Sequence, residues 1–315
     1  MEGQPTQNLR AFENRRIEKI LSYSQLAIDM QFGIKLLNRY LSEVEMAASG
    51  VPYSQIGFSA RREESGQVHV ITASGQTITD PYLIRNPSLT PPGSKAVLRL
   101  SGMMTAEDEA SSSGIGTLAA RLRQAYSNDN IDAVVLETNS GGGEITAMQM
   151  MMSAVQERNK PVIGWVHMAA SGAYGSVAGT DEIIVSSPLS KVGSIGAVVT
   201  INKTFLEFFK ENFVSFYGAN APKKQGEFRS MLEGDFGPMQ EMVDEATDQF
   251  HAQVRGLRNL SGSESYVKET LNGSMFDAGA AKRRGLIDGV GNLNMAIKRA
   301  DVWMAMPKYK KQKRA

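Results

Sequence analysis

From about residue 96 the chain alternates short apolar runs with amphipathic stretches. "AVLRL" (96–100), "DAVVLET" (132–138), "PVIGWVH" (161–167) and "EIIVSS" (182–187) are nearly continuous in Val, Ile and Leu, the pattern of strands buried on both faces. Between them "GTLAARLRQAYS" and "ITAMQMMMSAVQERN" repeat their apolar positions at helical spacing. The spacing predicts a further helix over "TFLEFFKENF", a strand at "VSFYG", and a long amphipathic helix from about Pro238 to Leu260. "FDAGAAKRRGLIDGVG" (276–291) reads as a small helix capped by Gly285 and followed by a short strand. Strands alternating with helices predict an α/β fold, a largely parallel sheet with right-handed crossovers.

Upstream the pattern differs. Residues 14–48 read as helix, with Ile34, Leu37, Leu41 and Val44 on one face, a break at Gly33, and an end at Gly50 and Pro52. Residues 51–92 are polar and strand-like: "QVHVITA" alternates, and "NPSLTPPGS" reads as a loop or linker. We therefore divide the chain into an accessory region (1–92), a core domain (93–300) and a basic tail (301–315), whose end "KYKKQKRA" has five basic residues in eight.

Composition narrows the chemistry. The 315 residues are 42% hydrophobic and 21% charged, with a net charge of +1, so nothing draws the whole molecule to nucleic acid or a membrane surface. There are no cysteines, which excludes disulfides and thiolate metal sites, and the three histidines are too dispersed to suggest a metal cluster. No metal or cofactor is expected. The first residues lack a signal-peptide core, and no apolar run reaches the roughly 18 to 20 residues that span a bilayer. A cytoplasmic, non-secreted setting is the expectation.

In a parallel sheet the reactive loops lie at the carboxyl ends of the strands, and two segments stand there. "NSGGGE" follows one strand; its glycines free the backbone N–H groups to approach a ligand at the start of a helix, where an anion is favoured. No Lys-Ser/Thr follows, so a phosphate loop fits poorly, and the remaining choices are an oxyanion hole or a plain tight turn. "MAASGAYGS" (168–176) follows the next strand and holds Ser171 among small residues. Those could serve helix–sheet packing, or could leave room for a substrate backbone beside a nucleophile. A serine nucleophile needs a base. His167 lies four residues upstream on the strand and suits a structural role better; nothing marks His69 or His251 as a base. That leaves lysine, which acts as a base only when neutral. "NAPKKQGEF" offers Lys223 and Lys224, although an adjacent lysine pair is ordinarily a solvated loop.

Together these segments resemble the signal peptide peptidase A (SppA) family of Ser–Lys serine peptidases. "ETNSGGGEITA" is similar to that family's "NSPGG" loop, with Gly141 in place of the usual proline. "MAASGAYGSVAGTDEIIVSSPLSKVGSIGAV" resembles its nucleophile segment, and "FDAGAAKRRGLIDGVG" its C-terminal element; the likeness covers roughly residues 95–295.

The resemblance implies a ClpP/crotonase-like fold and a serine endopeptidase. Ser171 would be the nucleophile, with the backbone N–H groups of Gly143 and Gly172 as oxyanion hole. Ser194 of "GSIG" would orient the dyad lysine, which is Lys223 counted from the serine or Lys224 counted from "GSIG". The substrate would be a polypeptide, and rings of identical subunits, a homo-oligomer, are common in this fold family. Phage head-maturation proteases of the superfamily lack a membrane anchor, and none is expected here; the expected role is therefore processing of scaffold or capsid proteins, with portal or capsid contacts. A cytosolic bacterial SppA-like peptidase is the alternative. From other classes come a crotonase-type acyl-CoA enzyme and a non-catalytic assembly scaffold.

Overall fold

The computed structural model describes residues 26–28, 66–108, 113–201 and 203–310. Its centre is a mixed sheet. β4 (Ser94–Met104), β5 (Ile131–Glu144), β6 (Val162–Ala170) and β7 (Glu182–Val185) lie side by side and parallel, and β10 (Gly289–Val290) extends this run beyond β7. On the other side β2 (Val68–Ile71) joins β4 antiparallel and carries β3 (Thr77–Ile78). Residues 66–78, from the polar stretch before the core, thus belong to the same sheet as the core strands.

Helices complete the βαβ units: α1 (Ile115–Ser127) between β4 and β5, α2 (Ile145–Gln156) between β5 and β6, and α3 (Gly172–Ala178) between β6 and β7. After β7 come β8 (Lys191–Gly193), α4 (Lys203–Asn212), α5 (Gly226–Leu232), α6 (Gly237–Leu257) and α7 (Glu264–Thr270). β9 (Met275–Asp277), α8 (Ala278–Arg283), α9 (Leu293–Met304) and α10 (Pro307–Lys310) follow.

The apolar runs are buried on both faces, as their composition requires. One face of the strands, with Leu98, Leu136 and Val166, packs on α1, α2 and α3, and Phe250 and Val254 of α6 close over them. The other face, with Val97, Val135, Ile163 and Ile184, packs on Ala296 and Ala300 of α9. Beyond the reach of α9 that second face turns polar. There Glu137 meets Arg99 at 3.5 Å and His167 at 3.2 Å.

The start of β6 is a tie point. The Asp181 side chain, 1% exposed, accepts the Val162 N–H and bonds Arg158 of the α2–β6 link, Lys308 and Tyr309. Next to it Glu182 pairs with Arg299 and accepts from the Trp303 indole. Two carboxylates thus hold the last helices against the amino ends of the strands.

Several expectations need correction. "NSGGGE" is no loop: β5 runs through it to Glu144. "VSFYG" forms no strand, and Val214 and Phe216 are exposed at 82% and 93%. Its alternation has no neighbouring strand to pair with, and an unpaired strand leaves its backbone bonds unmade. The helix expected over 14–48 lies outside the described residues except at Leu26–Ile28, which form a strand, β1. The final residues of the basic tail, 311–315, also lie outside them.

Candidate active site

Ser171 stands where β6 turns into α3. Its backbone has φ 53° and ψ −124°, a conformation that non-glycine residues avoid because of crowding around Cβ. Two hydrogen bonds hold it there: the Ser171 N–H donates to Gly193 O at 2.8 Å, and the Gly175 N–H donates to Ser171 O at 3.1 Å in the first turn of α3. A serine at a strained strand-to-helix turn presents its hydroxyl at the carboxyl end of the sheet. That hydroxyl makes one long bond, to Gly196 O at 3.4 Å, which a stronger acceptor would readily replace.

β8 brings Ser194 alongside. It pairs parallel with β6 through Ala170↔Gly193, so Ser171 and Ser194 leave the sheet side by side. Ser194 also has positive φ, 51°, fixed by its N–H bond to Ser274 O at 2.9 Å. Gly193 precedes it with φ 132°, and a Cβ there would come 2.3 Å from the same carbonyl. The close approach comes from β9, antiparallel to β8, so the "FDAG" motif buttresses "GSIG" directly.

Gly143 reaches the site from the neighbouring strand. A Cβ on Gly172 would lie 3.7 Å from Gly143 N, which puts the two backbone amides in one small space beside Ser171. Gly143 itself must lack a side chain, because β4 passes so close that a Cβ would meet Met104 O at 2.1 Å. Strand packing alone requires that glycine. Gly142 has φ 98°, open to glycine and little else.

A small, partly open pocket lies between α2 and α6. Ile145, Met148, Ala197 and Phe250 wall it, together with Gly196, whose carbonyl accepts from Ser171. Gln253 lies at its side with a buried Oε1 that has no hydrogen-bond partner among the described residues. Its far wall is pinned by Thr247 of α6, whose hydroxyl accepts the Ala197 N–H at 3.1 Å.

The two motif glycines thus lie near each other at strand ends of a parallel sheet, beside a strained serine. Residues 154–306, which include Ser171 and Ser194, match peptidase family S49. Over this stretch the chain is similar to the signal peptide peptidase A family.

Several relatives carry protease names. It is 28% identical over 217 residues to Protease 4 of Haemophilus influenzae, covering 67% of this chain and 35% of that protein. It is 30% identical over 180 residues to a Methanocaldococcus jannaschii protein named as a protease (55% and 57% covered). With the chloroplastic serine protease SPPA of Arabidopsis thaliana it shares 28% over 204 residues (62% and 29% covered). The chain thus spans between about a third and just over half the length of the first two. Its repeated β–α units fit the ClpP/crotonase-like fold that the motif resemblance implies. Among solved structures it resembles the 1510-N membrane protease specific for a stomatin homolog from Pyrococcus horikoshii (16% identity, TM-score 0.37, 64% and 76% covered). It also resembles an enoyl-CoA hydratase/isomerase family protein from Silicibacter pomeroyi (14% identity, TM-score 0.42, 68% and 80% covered). Likenesses this loose decide nothing between peptidase and acyl-CoA chemistry.

Ser171, Gly172, Gly143 and Ser194 thus come together, and the two lysines do not join them. Lys223 and Lys224 are exposed in the turn before α5, with no bond to Ser171 or Ser194 among the described residues. His167 does not reach Ser171 either. It bonds Ser186 at 2.9 Å and Glu137 at 3.2 Å on the second face of the sheet. There, burial alone would raise the Glu137 carboxyl, but the hydrogen bond from His167 and the charge of Arg99 outweigh it and hold the carboxyl below its ordinary value. His251 bonds the Ile195 carbonyl at 3.3 Å, supporting the backbone next to Gly196.

The sequence reading missed Gly196, Met148, Thr247 and Ser274. The "MQMMM" run signals an apolar helix face but not which methionine packs on Gly172. Thr247, through its hydroxyl, and Ser274, through its carbonyl, hold backbone amides 50 and 80 residues away, for which a single sequence carries no sign.

Proposed function

We propose that this chain is a serine peptidase in which Ser171 is the nucleophile, the amides of Gly172 and Gly143 form the oxyanion hole, and a lysine is the base. The observation that carries this reading is the proximity of Gly143 to Gly172, next to a strained, lightly bonded serine. The neutral lysine takes the Ser171 proton, and Oγ attacks the peptide carbonyl carbon. The carbonyl oxygen, now anionic, is held by the two N–H groups. Collapse breaks the C–N bond, and the lysine ammonium returns its proton to the departing amine. Water then loses a proton to the same lysine and attacks the acyl ester; Ser171 regains the proton and the carboxylic acid product leaves.

The base is Lys223 or Lys224, brought to Ser171 by a second copy of the chain. Both are exposed, and the segment before them displays Phe208, Phe213 and Phe216, each more than half exposed, which suits contact between subunits of a ring. Ser194, next to Ser171 and half-buried, would accept a bond from the arriving ammonium. The apolar pocket would take an apolar side chain of the substrate next to the cleaved bond.

Two finer roles share this chemistry: maturation of scaffold or capsid proteins in an assembling phage head, and breakdown of peptides by an SppA-like peptidase. The protease names of the curated relatives favour the second. Cleavage of unfolded casein should be lost in Ser171→Ala, and in one of Lys223→Ala and Lys224→Ala. Mixing the serine variant with the inactive lysine variant should restore activity. Full activity of Ser171→Ala would remove the nucleophile assignment, and failure of the mixture would remove the shared site.

A further inference from the structure

The edge of β5 beside Ser171 is already occupied. β4 takes one edge of β5 as far as Met103↔Gly142 and Met104↔Gly143. β6 takes the opposite edge, but only to Asn139↔Met168 and Ser140↔Ala169, before it turns away through Ser171. Gly142–Glu144 would therefore present free backbone on the side of the serine. β1 fills that place: Leu26–Ile28 run antiparallel to β5, with Ile28↔Gly142, Ala27↔Gly143 and Leu26↔Glu144.

An extended substrate binds an exposed strand edge through its main chain, with side-chain pockets alongside. For a bond to reach Ser171 while its carbonyl faces Gly143, a substrate must lie along this same short edge. Two strands cannot share it. We propose that residues 26–28 are a tethered competitor, a segment of the chain that holds the substrate-strand position and must leave it before an extended polypeptide can bind. The proposal rests on the reading of Ser171 as nucleophile for its meaning, while the pairing itself can be tested without it.

Main-chain pairing sets the requirement. Only backbone atoms are involved, so the occupant need not resemble a preferred substrate in its side chains. Being tethered, it competes at a fixed effective concentration whatever the protein concentration. A competitor that occupies the edge most of the time raises the apparent KM by the inverse of the free fraction and leaves kcat unchanged.

Ala27→Pro removes an N–H and cannot continue a ladder, whereas Ala27→Ser retains the backbone donor. Hydrogen exchange on the full-length Ser171→Ala protein should show protection of those amides within Gly142–Glu144 that point away from β4. Adding Ala27→Pro should release that protection, and adding Ala27→Ser should not. Equal exchange in all three overturns the pairing. In the Ser171-containing protein, Ala27→Pro should lower KM for fluorescently labelled casein by about tenfold at unchanged kcat. An unchanged KM overturns the competition. Absence of cleavage in every protein would count against the peptidase reading, and the exchange result would still decide the pairing.

Discussion

The backbones of Gly172 and Gly143 face one another across the carboxyl ends of two parallel strands, so closely that a methyl on the first would stand 3.7 Å from the nitrogen of the second. The other neighbours of such a methyl, Met148 and the Met104 sulfur, lie at 3.4 and 3.8 Å, ordinary contact distances. Gly172→Ala should therefore fold normally, with an unchanged Tm, while its methyl intrudes where a developing oxyanion would sit. Loss of kcat on the order of 100-fold is expected in a casein assay. Wild-type kcat in a well-folded Gly172→Ala protein would remove the amide pair from the mechanism.

The positive φ at Ser171 has a signature in stability. Glycine adopts φ 53° and ψ −124° without a Cβ penalty, and alanine does not. Both Ser171→Gly and Ser171→Ala remove the hydroxyl, yet the glycine variant should be more stable than the alanine variant by about 1 kcal/mol in urea unfolding. Greater stability of the alanine variant would show that the turn is not strained.

Gly175 answers for the small residues of "MAASGAYGS". Every residue of α3 is buried. A Cβ at 175 would meet the Met148 side chain at 2.5 and 2.9 Å and the Phe250 ring at 3.0 Å. This glycine is small so that α2 and α6 can close over α3, and room for a substrate does not enter. Gly175→Ala should cost about 1–3 kcal/mol by overpacking. Gly256→Ala, in α6 with open space around it, should instead add about 0.5–1 kcal/mol. Chemical denaturation of both variants checks the contrast.

Acid should find the second face of the sheet first. The Glu137 carboxyl is held below its ordinary value in the folded protein. Its contribution is therefore fully present above the unfolded carboxylate value of about 4.3 and is lost as pH falls through the lower folded value. Glu137→Gln should flatten the fall of Tm below about pH 4.3. Parallel Tm curves for the two proteins would contradict this.

Much of the core was legible because burial on both faces writes itself as unbroken Val, Ile and Leu. That is how β4 to β7 and the helices between them could be read. The glycines of "NSGGGE" misled because glycine disfavours an isolated strand. Here the segment stays extended because β4 on one edge and β1 on the other supply its backbone partners. "VSFYG" misled in the opposite way, with alternation but no strand to pair with. The position of Ser171, Gly172, Gly143 and Ser194 could be inferred from motifs at strand ends. What could not be read was the support around them, since the carbonyls of Gly193 and Ser274 act through peptide groups that every residue possesses. The place of Lys223 and Lys224 was equally illegible. Sequence distance from the serine gave a count along the chain, and a reactive pair is set by folding or by assembly.

Asp181 fastens Lys308 and Tyr309 where β6 begins, and Ser171 stands where β6 ends. At about 3.3 Å per residue that strand separates them by some 25 Å. A fluorophore or surface linker placed at Lys310 would thus sit on the opposite pole of the sheet from the hydroxyl. Molecules immobilised through it would turn their clefts outward, giving an oriented layer in which single cleavage events could be watched without the attachment chemistry crowding the serine.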